Sequence, residues 1–284
     1  AASAGDLYIN ASTDLAVGGD LSITATTGNI TQGAAVTVTG TSTFITGATA
    51  SNIILDQASN AFSSEVTMKA GTSGNLAFGD ITFVDSAAVK IETSADTGAD
   101  GDLLLDASTD GAVGGDLSIT ATTGDITQAQ TLAVTGTTTL LTSANNATIT
   151  LGDTSNVFTD AVSITTTDDE SGTANDSDVL INAGSSAELK FGTLTIKGDL
   201  STTSTHATGI SDTGVLTIHG TSSFTTSTDD ATIILNSTNL FTGQVSLSTA
   251  GTSGHVTLET GALQLRLTTS EVKGNLTIAA GAAV

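Results

Sequence analysis

Proline, cysteine and tryptophan are all missing from the 284-residue chain, and aromatic residues make up only 3% of it. Without cysteine, disulfides and thiol chemistry are excluded. So few aromatics are well below what a compact core of this length uses. With no proline and no long apolar stretch at 3.6-residue spacing, nothing suggests helix caps, Pro-rich linkers or a second fold. No run approaches the ~18 consecutive apolar residues of a membrane-spanning helix. No signal-peptide pattern is visible either; had one existed, it would be removed or lie outside this sequence. Basic residues are scarce too, six against 29 acidic, for a formal charge of -23. Such a field repels phosphate backbones and anionic lipid surfaces, which argues against nucleic acid and membrane partners. Cations, calcium above all, are the natural small partners.

What the chain does have is 38% hydrophobic residues, as short runs of Val, Ile, Leu and Ala set among Thr, Ser, Gly, Asp and Asn. Abundant, evenly spread β-branched residues are not a disorder composition. The runs repeat. Gly5 to Gln32 reads GDLYINASTDLAVGGDLSITATTGNITQ, and Gly101 to Gln128 reads GDLLLDASTDGAVGGDLSITATTGDITQ, with 23 of 28 positions identical. GTSTFITG from Gly40 answers GTTTLLTS from Gly136 and GTSSFTTS from Gly220. Asn60–Phe62 recurs as Asn156–Phe158 and Asn239–Phe241, each followed four residues later by Val66, Val162 and Val245.

Three copies of one large unit follow, at approximately 5–100, 101–197 and 198–272, with a fourth beginning at 273–284. Extra strand-like sequence around Ile81–Ile91 lengthens the first copy, and the acidic run Asp168 to Asp178 lengthens the second. Within each copy, segments such as Leu21–Ala25, Val36–Val38, Val162–Ile164 and Leu216–Ile218 alternate apolar and polar, the mark of strands with one face in and one out. They end at Gly, Asn, Asp or Thr-Gly corners. A sandwich does not repeat its sequence at such intervals, whereas stacked parallel strands do.

The expected fold is therefore all-β: a single-stranded parallel β-helix, or β-solenoid, forming one domain over 1–284. Ladders of Val, Ile and Thr run along it, with Asn stacks at corners. The shortest block, 76 residues from Leu200 to Leu276, predicts four coils of roughly 19–20 residues and 14–15 coils in all. Phe62, Phe158 and Phe241 are expected to fill one recurring wide corner. The expected hand is right, since strict hexapeptides of left-handed forms are missing.

The phrases GGDLSITATTGDITQ, TLAVTGTTTLLTSANNATITL and SNVFTDAVSI resemble repeats in large bacterial exoproteins of the filamentous haemagglutinin type. The resemblance covers essentially the whole chain. It implies a right-handed parallel β-helix, display on or release from the bacterial surface, and roles in adhesion, biofilm matrix or cell–cell contact. The amino-terminal secretion domain of that family is not visible in this sequence.

Specific chemistry is sparse. Asp168, Asp169, Glu170, Asp176 and Asp178 form the densest acidic cluster, read either as a solvated loop between coils or as a calcium site, since hard cations take clustered oxygen ligands. Asp96, Asp100 and Asp102 form a weaker candidate. Neither cluster has the EF-hand spacing or an iterated calcium-binding nonapeptide. His206, His219 and His255 are too scattered for a metal triad and read as surface residues. Arg266, the one arginine, is expected to point outward. No nucleophile constellation, phosphate loop or carboxylate pair with sugar-stacking aromatics is seen, so no enzyme activity is expected. Thr-x-Thr pairs such as Thr24/Thr26 and Thr148/Thr150 raise the alternative of an ice- or glycan-binding face, but no such pair occurs between Thr43 and Thr120. The functional expectation is a structural and adhesive rod of an extracellular bacterial surface or matrix fibre, with copies of itself stacked end to end, or neighbouring cells and matrix glycans, as partners. A carbohydrate-active β-helix enzyme or an ice- or glycan-binding solenoid is the alternative.

Overall fold

The computed structural model describes residues 5–10, 13–48, 50–71, 79–87, 89–92, 103–105, 112–168, 177–261 and 264–281. The elements among them are all strands. The paired strands run parallel and stack as a β-solenoid of about 10 turns. The chain divides into two compact units, Ala1–Thr137 and Thr138–Val284.

In the first unit, one long sheet stacks Leu7–Ile9, Ile30–Gln32, Ile53–Leu55, Ile81–Asp85 and Leu117–Ala121. A second stacks Leu21–Ala25, Ser42–Thr46, Val66–Lys69, Leu103–Leu105, Val89–Glu92 and Ile126–Gln128. A short third sheet joins Leu15–Val17, Val36–Val38 and Ala61–Phe62. Alternation decides which side chains go inside. In Ser42–Thr46, Ser42, Phe44 and Thr46 are buried while Thr43 and Ile45 are partly exposed. Ile30 stacks under Ile53, and Ile53 under Ile81, all of them buried. β-branched side chains suit these columns because they fill a pleated, half-buried surface with little rotamer freedom to lose. Phe62 meets the rings of Phe44 and Phe83 at centroid distances of 6.1 and 5.5 Å.

In the second unit, one long sheet runs through Thr138–Asn145, Val162–Thr167, Leu189–Ile196, Thr232–Phe241, Val256–Thr260 and Leu276–Ala280, with Gly209–Asp212 and Leu216–Ile218 both lying between Leu189–Ile196 and Thr232–Phe241. The other runs through Ile149–Leu151, Val179–Ala183, Leu200–Ser204, Ser222–Asp229, Gln244–Ala250 and Arg266–Leu267. Phe158 and Phe241 are buried at the same place in the repeat as Phe62, so the recurring aromatic corner is realised.

A third kind of corner closes after long strands. Thr142 Oγ1 donates to the carbonyl of Ala147 at 3.4 Å, and Thr226 Oγ1 to that of Ala231 at 3.3 Å. The residue before each carbonyl, Asn146 or Asp230, has a φ of 62°. Asn and Asp enter that left-handed region more readily than other side chains, because their short polar groups bond locally.

The coil is longer than the sequence repeat predicts, and there are about 10 turns rather than 14–15. Stacked partners such as Leu7 and Ile30, Leu200 and Ser222, or Ile233 and Val256 lie 21 to 24 residues apart in the regular turns. The reason lies in the shortest block. From Leu200, three turns pass through Ser222 and Val245 to Leu267 on one sheet. Leu276, the sequence equivalent of Leu200, then pairs with Val256 on the other sheet. The block is therefore three and a half turns, not four.

The first unit behaves the same way. Leu21–Ala25 and Leu117–Ala121 are both LSITA, yet they lie in different long sheets. Ile30–Gln32 and Ile126–Gln128, both ITQ, are exchanged in the opposite sense. The exchange coincides with an out-of-order strand: Leu103–Leu105 inserts between Val66–Lys69 and Val89–Glu92. Within each unit, equal sequence therefore faces opposite sides.

Candidate functional site: the polar ladders of the corners

The residue before the first inward side chain of many strands is Asp, Asn or Thr, following Gly in most cases. In the first unit these residues form a continuous ladder. Asp6 Oδ1 accepts the amide of Asn29 at 2.8 Å, Asn29 Oδ1 that of Asn52 at 2.7 Å, and Asn52 Oδ1 that of Asp80 at 2.8 Å. Asp80 Oδ1 then accepts from Asp116 at 3.0 Å, and Asp116 Oδ1 from Thr137 at 2.6 Å. In the second unit, Asp178 Oδ1 accepts from Asp199 at 2.7 Å and Asp199 Oδ1 from Thr221 at 2.6 Å. Each oxygen satisfies an amide of the adjoining coil that would otherwise face a corner without a strand partner.

The glycine is a direct consequence. A Cβ on Gly28 or Gly115 would sit 2.5 Å from the Oδ1 of Asp6 or Asp80, the residue one coil away. The Gly-Asp and Gly-Asn pairs are thus one device: the side chain crosses to the next coil, and glycine leaves it room.

Where the acceptor is an Asp carboxylate, charge makes the bond stronger than that to the neutral Asn29 or Asn52. Asp199→Ala is expected to cost about 2 kcal/mol, the scale of losing a hydrogen bond to a charged group. Asp199→Asn keeps the accepting oxygen and is expected to recover most of that loss. Urea unfolding followed by circular dichroism measures both.

Of the acidic cluster proposed from sequence, Asp168 and Asp178 are described, while Asp169, Glu170 and Asp176 lie outside the described residues. Asp178 is a ladder residue, its Oδ1 bound to the Asp199 amide. Asp96, Asp100 and Asp102 also lie outside the described residues. Among the described residues, no three His, Asp or Glu side chains gather as a metal site.

His206, His219 and His255 are all at least partly exposed, and Arg266 is exposed on its strand. His255 has a role that the sequence reading missed. It occupies the ladder position, and its Nδ1 accepts the amide of Asn275 at 2.8 Å. Its place before the strand Val256–Thr260 was the available signal, since Asp116 and Asp199 stand likewise before their strands.

A second column runs inside the corner. Asn60 is fully buried and fully used: Oδ1 accepts Gln32 Nε2 at 2.8 Å and the Val36 amide at 2.9 Å, and Nδ2 donates to Gln32 Oε1 and the Val84 carbonyl. Asn239 repeats the arrangement in the second unit, with Oδ1 on the Leu216 amide at 2.8 Å and Nδ2 on Asp212 Oδ2 at 2.7 Å. These side chains hold backbone in place. Asn60 is saturated, which leaves that side chain little capacity for substrate.

No curated protein and no solved structure matches the chain. A family model described as repeats of unknown function, DUF5649, matches residues 3–69, 93–165 and 176–248. The matched segments share the corner ladders and the aromatic corner of each block, and together they cover well over half of the sequence. The chain therefore belongs to the DUF5649 repeat family, three copies of which it carries.

Proposed function

We propose that this chain is a structural and adhesive segment of a secreted bacterial surface or matrix protein of the filamentous haemagglutinin type, working as a stiff spacer outside the cell and not as an enzyme. The observation that carries the reading is the stacking rule. Inward columns and saturated corner ladders let one coil support the next, so length is gained by adding repeats rather than by building a site. The charge of -23 supports a well-solvated surface that attracts cations, calcium among them. Leu276 and Ile278, each 41% exposed on the outermost strand of the second unit, are positions that a further coil of like sequence would cover, whether from a neighbouring copy or from continuing chain. Matrix glycans and neighbouring cells are the remaining partners in this reading.

The test is display of the chain on non-adherent bacterial cells, with adhesion read by single-cell force microscopy. Long-reach rupture events and raised cell–cell adhesion are expected. Adhesion equal to that of cells displaying a charge-matched disordered spacer would overturn the adhesive role.

A further inference from the structure

The inner polar column of the first unit holds one acid that its neighbours do not explain. Asp85 stands at the inward end of the strand Ile81–Asp85 and is fully buried. Like Asn60, it reaches into the coil below to take an amide of the short third sheet: Oδ1 accepts from Phe62 at 3.3 Å. Its Oδ2 is buried without a hydrogen-bond partner among the described residues.

The contrast with Asp212 is direct. That carboxylate, buried in the second unit, receives the amides of Asn236 and Ser237 and the Nδ2 of Asn239. Asn60, Asn156 and Asn239 fill buried corner positions with neutral amides. Asp85 does so with an ionisable group that is only half satisfied.

Among the described residues, no opposite charge lowers its carboxyl. The strands packed around Asp85, namely Ile53–Leu55, Ala61–Phe62 and Leu117–Ala121, carry no charged residue. Asp56 and Asp125 beside them are exposed, and Asp80 and Asp116 are engaged as acceptors in the outer ladder. Lys90 and Glu92 belong to the next strand, Val89–Glu92. Burial raises the Asp85 carboxyl from 3.8 to about 6, against the lowering effect of the Phe62, Ser86 and Ala87 amides.

We propose that Asp85 is a proton-responsive joint: protonated, it closes its coil, and ionised, it loosens the coil where the strand order changes. The place matters, because Ile81–Asp85 leads into the out-of-order strands Val89–Glu92 and Leu103–Leu105. The sign follows from linkage. Between about pH 4 and 6 the folded state holds a proton that the unfolded chain has released, so stability falls as pH rises through that window. Above it, both states are ionised and the loss is complete. A pKa raised from 3.8 to about 6 corresponds to a roughly hundred-fold change in the ratio of closed to open coil.

The test is hydrogen exchange of the intact chain from pH 4.5 to 7.5, corrected for intrinsic rates. Protection of the Phe62, Phe83 and Thr122 amides is expected to fall about 25-fold over this range, the part of the full change that the linkage relation places above pH 4.5. In Asp85→Asn, protection is expected to stay high across the range. A pH profile in Asp85→Asn equal to the parent's would assign the effect to the general acidity of the chain and overturn the proposal. If that variant fails to fold, carboxyl-carbon NMR of the parent decides: a midpoint near 6 supports the joint, and an ordinary midpoint near 4 contradicts it.

Discussion

Phe224→Ala is expected to cost the second unit about 4 kcal/mol, in the range for emptying a buried aromatic site. Phe224 is fully buried, with ring centroids 6.5 Å from Phe191 and 6.1 Å from Phe241, both edge-on. Those three rings come from three different strands and bridge successive turns. Aromatics are scarce, so the volume lost has no nearby replacement. The parallel ladders fix the coil spacing near 4.8 Å, which prevents collapse around the cavity. Because each coil is supported by its neighbours, the loss is expected to lower the whole unit's transition and not one turn alone. Urea titration by circular dichroism measures it, and a loss under about 1 kcal/mol would mean the site is not the packed one described here.

Gly198→Ala is the second large effect, about 3 kcal/mol, at the upper end for overpacking. The missing Cβ would stand 2.5 Å from the Ser177 carbonyl carbon and 2.7 Å from the Asp178 nitrogen. Both are backbone atoms of the adjoining coil, held by the Asp178-to-Asp199 bond. A flexible side chain could swing aside, but backbone inside a ladder cannot. Combining Gly198→Ala with Asp178→Ala is therefore expected to restore little stability. Full restoration would show that only the carboxylate, and not the neighbouring backbone, demands glycine.

Much of this fold was legible in the sequence because alternation is a local property. Leu21–Ala25, Val36–Val38 and Leu216–Ile218 are strands with the bounds that their pattern predicts. The Gly-Asp and Gly-Asn pairs marked the corners, and the Asn-x-Phe triplets marked the aromatic corner. Coil length was not legible. The third side of the turn is carried by strands as short as Ala61–Phe62 and Val157–Phe158, which carry too few residues to show alternation. Nor does self-similarity reveal orientation. Leu200 and Leu276 follow the similar triplets Lys-Gly-Asp and Lys-Gly-Asn, and only the pairing register shows that they lie on different sheets.

The candidate site was less legible still. Nothing in the sequence marks Gln32, Asn60 and Asp85 as buried, since polar residues are mostly exposed. Their burial comes from the coils above and below, which no local window contains. The acidic run from Asp168 drew attention by its density, yet its ladder member Asp178 does the same work as Asp116 and Asp199, which stand singly along the chain.

The half-turn exchange sets this architecture apart from a solenoid of whole-turn repeats, and the lack of native cysteine makes it directly testable. Two double-cysteine variants, Thr257→Cys with Thr277→Cys and Ser246→Cys with Thr277→Cys, are to be treated with a short bifunctional thiol reagent. Thr257 and Thr277 are register partners on adjacent strands, so the first pair is expected to cross-link rapidly and completely. Ser246 belongs to the other long sheet, stacked with Ser223, so the second pair is expected not to react. Cross-linking of Ser246→Cys with Thr277→Cys, and none between positions 257 and 277, would restore a block of whole turns and contradict the fold described here.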